Sequence, residues 1–146
     1  MAIRSCNQAR LSGNKIKLIT NAIASVDGIT LLDVDPGSDT NRTVVTFVGS
    51  PEIIAEAAFQ GIKTASEQID MSKHKGAHPR MGATDVCPLV PVSNVTKDEC
   101  IIISKLLAER VGNELNIPVY LYEDSAQTLE RKNLSLIREG EYEGMS

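Results

Sequence analysis

The sequence lacks tryptophan and has only two phenylalanines and three tyrosines among its 146 residues. A core with so few rings has to be built mainly from Ile, Leu, Val and Ala. No apolar run approaches the length of about 20 residues that crosses a membrane. The polar start MAIRSCNQAR has no apolar stretch of signal-peptide length. We therefore expect a cytoplasmic protein without a membrane segment.

An excess of positive charge is also lacking, since 15 Lys and Arg residues face 19 Asp and Glu residues and give a net charge of −4. Non-specific nucleic-acid binding requires a broad basic surface, so we expect no nucleic-acid partner. The three cysteines, Cys6, Cys87 and Cys100, are widely spaced and form no CxxC pair. Such spacing is typical of reduced, buried thiols in a cytosolic protein.

Hydrophobic periodicity predicts an alternation of helices and strands after a strand-like start. Three helices are predicted. The first covers residues 13–26, the second begins at Pro51 and ends near Ile69, and the third follows a T-x-x-E capping box at Thr96. The predicted strands are ITLLDVD, RTVVTFVG, TDVCPLVPVS and IPVYLYE.

This order favours a two-layer α/β (α+β) sandwich formed by a single domain over residues 1–146. We predict a ferredoxin-like sheet of mixed strand direction with helices on one face. A doubly wound sheet is the alternative, but no GxGxxG motif follows the first strand.

Both histidines lie in one irregular segment, MSKHKGAHPRMGATDVCP, residues 71–88. His74 and His78 have the i,i+4 spacing of a zinc pair, but the glycine and proline around them oppose a helix. We therefore predict no metal site. One histidine could instead be a general acid/base beside an anion held by Lys73, Lys75 and Arg80. Taken alone, the segment fits a solvated charge cluster better than a functional site.

A second irregular segment, DVDPGSDTNRTV, leaves similar alternatives. Its three aspartates suggest calcium, but the closing glutamate of an EF-hand is absent, and aspartates are also common turn residues. Arg42, at the head of a predicted strand, could bind a carboxylate or remain a surface charge.

Three segments taken together resemble glutamate formiminotransferase, which is often the front part of formiminotransferase–cyclodeaminase. They are LLDVDPGSDTNRTVVTFVGSPE, IDMSKHKGAHPRMGATDVCPLVPVSNVT, and IPVYLYE followed by LIREGEYEG. The segments occur in the family's order, and the resemblance extends from about Asp33 to Gly144.

The resemblance implies transfer of a formimino group from N-formimino-L-glutamate to N5 of tetrahydrofolate, the co-substrate, in cytosolic histidine degradation. It implies two ferredoxin-like subdomains that face each other with folate between them, and this chain resembles the first. We therefore expect a second subdomain, or a second copy of the chain, to cover the sheet face opposite the helices. A covered face of this kind is expected to be apolar.

The resemblance also implies the roles of individual residues. His78, the histidine before Pro-Arg, corresponds to the catalytic acid/base. Asp35 is the candidate to stabilise the amidinium carbon, and Asn41 lies in the same matching segment. Arg42, Lys75 and Arg80 are the candidates to bind the anionic glutamate and folate groups.

A non-catalytic alternative stays open. The family's Val-Pro-Asn-Phe-Ser-Glu-Gly segment is replaced here by SCNQARLSG, and no second subdomain follows in this chain. The chain could therefore be a folate-binding remnant or a protein-interaction module of the same family.

Overall fold

The computed structural model describes residues 2–4, 13–37, 41–73 and 81–139. The chain forms two compact units, Met1–Cys87 and Pro88–Ser146. The first unit combines a small sheet with two helices, and the second unit is mainly helical.

The sheet of the first unit contains β1 (Ala2–Arg4), β2 (Thr30–Gly37), β3 (Arg42–Val48) and β4 (Thr84–Val86). Across the sheet the order is β2-β3-β1-β4. Strand β1 pairs with both β3 and β4, β2 pairs with β3, and every one of these pairs is antiparallel.

The prediction of a sheet with mixed strand directions is therefore wrong for the described strands. The crossover from β1 to β2 makes these two strands parallel, but β3 lies between them. Strands β3 and β4 are likewise parallel and are separated by β1. Each parallel pair is split by an antiparallel neighbour, so no parallel ladder forms.

Helices α1 (Gly13–Ala24) and α2 (Pro51–Gln68) confirm the periodicity of the sequence. Helix α2 begins as expected, with Ser50 in an extended conformation and proline at the first helical position. Both helices pack on the same face of the sheet, as predicted. The buried core that they share with β3 consists of Ile19, Ile23, Val45, Ala57, Ala65 and Ile69.

A bulge between Leu31 and Asp33 decides which side chains of β2 point toward the helices. Leu31 and Val34 both pack against the core, although simple alternation would place them on opposite faces. As a result Asp33 and Asp35 lie on the far face, defined here as the sheet face opposite α1 and α2. They pair across the ladder with Thr46 and Val44 respectively.

The far face carries both charged and apolar side chains. Strand β3 turns Thr43 and Val45 into the core, so its alternate residues lie on the far face. On the described part of that face, Arg42, Thr46 and the two β2 aspartates lie beside Val44 and Val48. The register that joins Val44 and Val86 through Ala2 places Val86 on the same face, and the exposed Leu32 lies at the bulge. The described residues of this face are thus mixed in polarity, and the expectation of a covered, apolar face stays a prediction.

The second unit is organised by helix α3 (Lys97–Leu115), whose predicted capping box is confirmed. The Glu99 backbone N–H donates to Thr96 Oγ1 over 3.2 Å, and the Thr96 backbone N–H donates to Glu99 Oε2 over 2.7 Å. Leu107 and Val111 are buried on one stripe of the helix. A short helix, α4 (Leu134–Ile137), follows in the same unit.

The prediction of a strand at IPVYLYE is wrong. Residues 117–122 follow α3 without joining a ladder to any other described segment. A strand requires a neighbour whose backbone groups face it, and Pro118 has no N–H to offer. The predicted strand TDVCPLVPVS is likewise reduced to β4, because Pro88 and Pro91 follow it.

No helix within the described ranges combines the length and the apolar composition that a membrane crossing demands.

Replacing Ile3 with proline should lower the free energy of unfolding by about 1–3 kcal/mol, because an inner-strand N–H is lost and a carbonyl loses its donor. Urea unfolding followed by circular dichroism measures the change. The matched variant Leu32→Pro, at an exposed bulge position of edge strand β2, should cost less. Equal losses for the two variants would contradict a special role for β1.

Candidate functional site

The structure describes three of the residues to which the resemblance assigns roles. Asp35 lies in β2, Asn41 precedes β3, and Arg42 is the first residue of β3. The other three, Lys75, His78 and Arg80, fall in 74–80, outside the described residues.

Asp35 and Arg42 are diagonal neighbours on the far face. The register pairs Asp35 with Val44 and Gly37 with Arg42, so the arginine is two positions from the residue opposite the aspartate. Diagonal neighbours of this kind are within reach of a long side chain. Asp35 is exposed and Arg42 is half-buried. The register therefore places a carboxylate and a guanidinium at diagonal positions of one face.

Asn41 fixes the entry of the chain into β3. Its φ is +49°, in the left-handed region that asparagine tolerates better than most residues. Its side chain is only 5% exposed, and the neighbouring Thr43 is 3% exposed. The end of the β2–β3 connection is therefore held by a buried polar residue directly before Arg42.

The strand directions place the starts of β3 and β4 at one end of the sheet. Because β3 and β4 are parallel, Arg42 at the start of β3 and Thr84 at the start of β4 lie at the same end. Only β1 lies between β3 and β4, so the axes of these two strands are about 10 Å apart, or two strand spacings. The chain enters β4 shortly after residues 74–80, and enters β3 shortly after residues 38–40.

Asp70 anchors the chain just before residues 74–80. Its Oδ1 accepts hydrogen bonds from the Ser72 backbone N–H at 3.0 Å and from the Ser72 hydroxyl at 2.6 Å. Lys73 Nζ lies 3.1 Å from its Oδ2. The Ser72 hydroxyl, followed by Lys73, lowers the pKa of Asp70. The sequence analysis missed Asp70, although an aspartate two residues before a serine is a common local turn signal.

The described cysteines form neither a disulfide nor part of a metal-ligand cluster. Cys87 and Cys100 are free thiols, and burial raises the pKa of Cys87, which disfavours the thiolate. Within the described ranges, no three His, Cys, Asp or Glu residues cluster as metal ligands would.

Comparison with known proteins places the chain in a family. A sequence model of the formiminotransferase domain, N-terminal subdomain, matches residues 9–146. The chain belongs to this family. The resemblance drawn from its motifs is thereby confirmed. Strand β1, at residues 2–4, precedes the matched range, yet it occupies an inner position of the sheet.

Relatives from distant organisms are similar over most of this chain. Formimidoyltransferase-cyclodeaminase of Mus musculus is 55% identical over 130 residues, which are 89% of this chain and 24% of the relative. Glutamate formimidoyltransferase of Streptococcus pyogenes serotype M1 is 54% identical over 95% of this chain and 45% of the relative. The glutamate formimidoyltransferase of Thermoplasma acidophilum is 46% identical over 86% of this chain and 41% of the relative. The chain therefore spans from about a quarter to somewhat under half of these relatives.

Replacing Asn41 with alanine should lower the free energy of unfolding by about 1–3 kcal/mol, because left-handed backbone is costly for alanine and the buried polar group is lost. Asn41→Gly should cost less, since glycine removes the backbone strain. Chemical unfolding of the variants measures both changes.

Asn94 is a matched control, since it has φ +56° but an exposed side chain. Asn94→Ala should show the backbone cost alone. If Asn41→Ala and Asn94→Ala lower the free energy of unfolding equally, the buried side chain of Asn41 does not stabilise the β2–β3 end of the sheet.

Proposed function

We propose that the chain forms the N-terminal wall of a site that transfers a formimino group from N-formimino-L-glutamate to N5 of tetrahydrofolate, in the cytosolic degradation of histidine. The observation that carries this proposal is the family match over residues 9–146, with 54% identity to a glutamate formimidoyltransferase. Tetrahydrofolate is a co-substrate in this proposal and leaves with the transferred group.

His78 is assigned the proton transfers. The new bond joins N5 to the amidine carbon, and the bond that breaks joins this carbon to the glutamate nitrogen. His78 accepts the proton that N5 loses and then donates a proton to the departing nitrogen. An imidazole suits both steps because it titrates near neutral pH.

The residues of the β2–β3 end of the sheet are assigned to substrate binding. The Asp35 carboxylate stabilises the positive charge of the amidinium, and Arg42, its diagonal neighbour, binds a substrate carboxylate. Asn41 holds the backbone from which Arg42 projects. Lys75 and Arg80, beside His78 in the sequence, bind the remaining anionic groups of glutamate and folate. The shared end of β3 and β4 supports the convergence of these groups.

We further propose that the first unit is ferredoxin-like. Its order β-α-β-β-α-β, with the fourth strand beside the first and the third beside the second, supports this assignment. The second unit, residues 88–146, belongs with it to one N-terminal subdomain, since the family match runs through both.

A complementary wall completes the site in this proposal, either a second subdomain or a second copy of the chain. The charged residues of the far face favour a wall that leaves room for substrate, because a dry contact would remove the exposed Asp33 and Asp35 carboxylates from water. The non-catalytic alternative, a folate-binding remnant or an interaction module, predicts no turnover with either wall.

His78→Ala should lower turnover by about 10²–10⁴-fold, the range for loss of a general acid/base. The assay is formimino transfer from N-formimino-L-glutamate to tetrahydrofolate. It is run on the chain alone and with the part of the Streptococcus pyogenes enzyme that lies beyond the matched region. Folate affinity should change little, since the imidazole moves protons and does not hold the pterin.

The matched control is His74→Ala, in the same segment and without an assigned role, which should have a much smaller effect. Full activity in His78→Ala would contradict the assignment of the proton transfers to His78. Undetectable turnover of the unsubstituted chain, alone and complemented, would leave the non-catalytic alternative.

A further inference from the structure

The second unit contains an open cleft of about 640 Å³ that the proposed transfer reaction does not use. One wall is a face of α3, formed by residues at intervals of three and four positions along the helix. The other wall is the chain that follows the helix, together with Gln127 and Arg131. The wall residues of α3 and the following segment are Lys105, Ala108, Glu109, Gly112, Asn116, Ile117, Pro118, Val119 and Leu121.

The local sequence explains why this space exists. Asn116 ends α3 in a left-handed conformation, with φ +59°, and the chain then continues into residues 117–121, which form the opposite wall. Gly112 leaves the helix wall without a side chain. A Cβ atom built there would have the Ile117 carbonyl oxygen as its nearest neighbour, at 4.0 Å. The floor of the cleft is thus open at Gly112.

Two cations give the cleft a chemical preference. The Arg131 guanidinium carbon lies 5.3 Å from the centre of the Tyr120 ring, a cation–π contact that restrains the side chain. A restrained guanidinium presents its planar donors to a carboxylate at a low entropic cost. Lys105 supplies the second positive charge, against the single negative charge of Glu109. The ionisable lining residues therefore sum to one positive charge.

The dipole of α3 makes the electrostatic potential differ between the two ends of the helix wall. Gly112 lies in the last turn of α3, where carbonyl groups give a partial negative charge that disfavours an anion. Lys105 lies two turns earlier, about 10 Å along the axis. An amphipathic ligand therefore places its apolar body over Gly112 and Ile117, and its charge toward the cations. A second negative charge would meet Glu109 and weaken binding.

We propose that this cleft binds a small organic monoanion with an apolar body, of the aromatic carboxylate class. Its volume lies within the range of ligand pockets, about 300–1,000 Å³. None of its lining residues is among those assigned to formimino transfer.

The test uses 2-naphthoate as the probe and its neutral amide, 2-naphthamide, as the matched compound. Titrations of the full chain are followed by amide chemical shifts. The carboxylate should bind saturably and shift the Gly112 signal, whereas the amide should bind about tenfold more weakly. Gly112→Leu should abolish binding by filling the floor, and thermal unfolding confirms that the variant is folded.

Charge variants separate this site from non-specific binding. Arg131→Gln and Lys105→Gln should each weaken 2-naphthoate binding about tenfold. Lys132 is an exposed neighbour of Arg131 that does not line the cleft, so Lys132→Gln should leave the affinity for 2-naphthoate unchanged. The proposal is overturned by equal affinity for acid and amide, by unaltered binding in folded Gly112→Leu, or by no saturable binding.

Discussion

The pairing of β1 with both β3 and β4 is the constraint on which the first unit depends. Three residues form the ladder that joins the β2–β3 hairpin to β4. Without them β3 and β4 would share no common neighbour, and the starts of these two strands would not be held at one end of the sheet. Residues 2–4 precede the range that matches the family model, so the sheet of this chain includes a segment outside that range.

The charges of the far face follow from the same ladder. The bulge between Leu31 and Asp33 turns Leu31 and Val34 toward the helices, and it leaves Asp33 and Asp35 on the opposite face. A face with these carboxylates does not suit a dry subunit contact, because desolvated charges need partners. It suits one wall of a passage for charged substrates, which is how the proposed function uses it.

Local signals predicted much of the fold, and tertiary context decided the rest. Helices α1, α2 and α3 followed from periodicity, and the capping box at Thr96 was found directly. The strand predicted at IPVYLYE failed because pairing depends on a neighbour that the segment itself does not specify. Simple alternation from Leu31 would place Asp33 and Asp35 on the helix side, so the bulge could not be anticipated from the pattern. Roles for Asp35 and Arg42 came from family resemblance, whereas their diagonal arrangement required the register.

The central claim is that the β2–β3 end of the sheet and residues 74–80 form one folate-binding wall. Hydrogen exchange of the backbone, measured segment by segment with and without 5-formyltetrahydrofolate in the complemented protein, tests it most directly. The account predicts protection within residues 35–42 and 71–81, with none along α1. Protection confined to residues 88–146, or no protection at all, would contradict it.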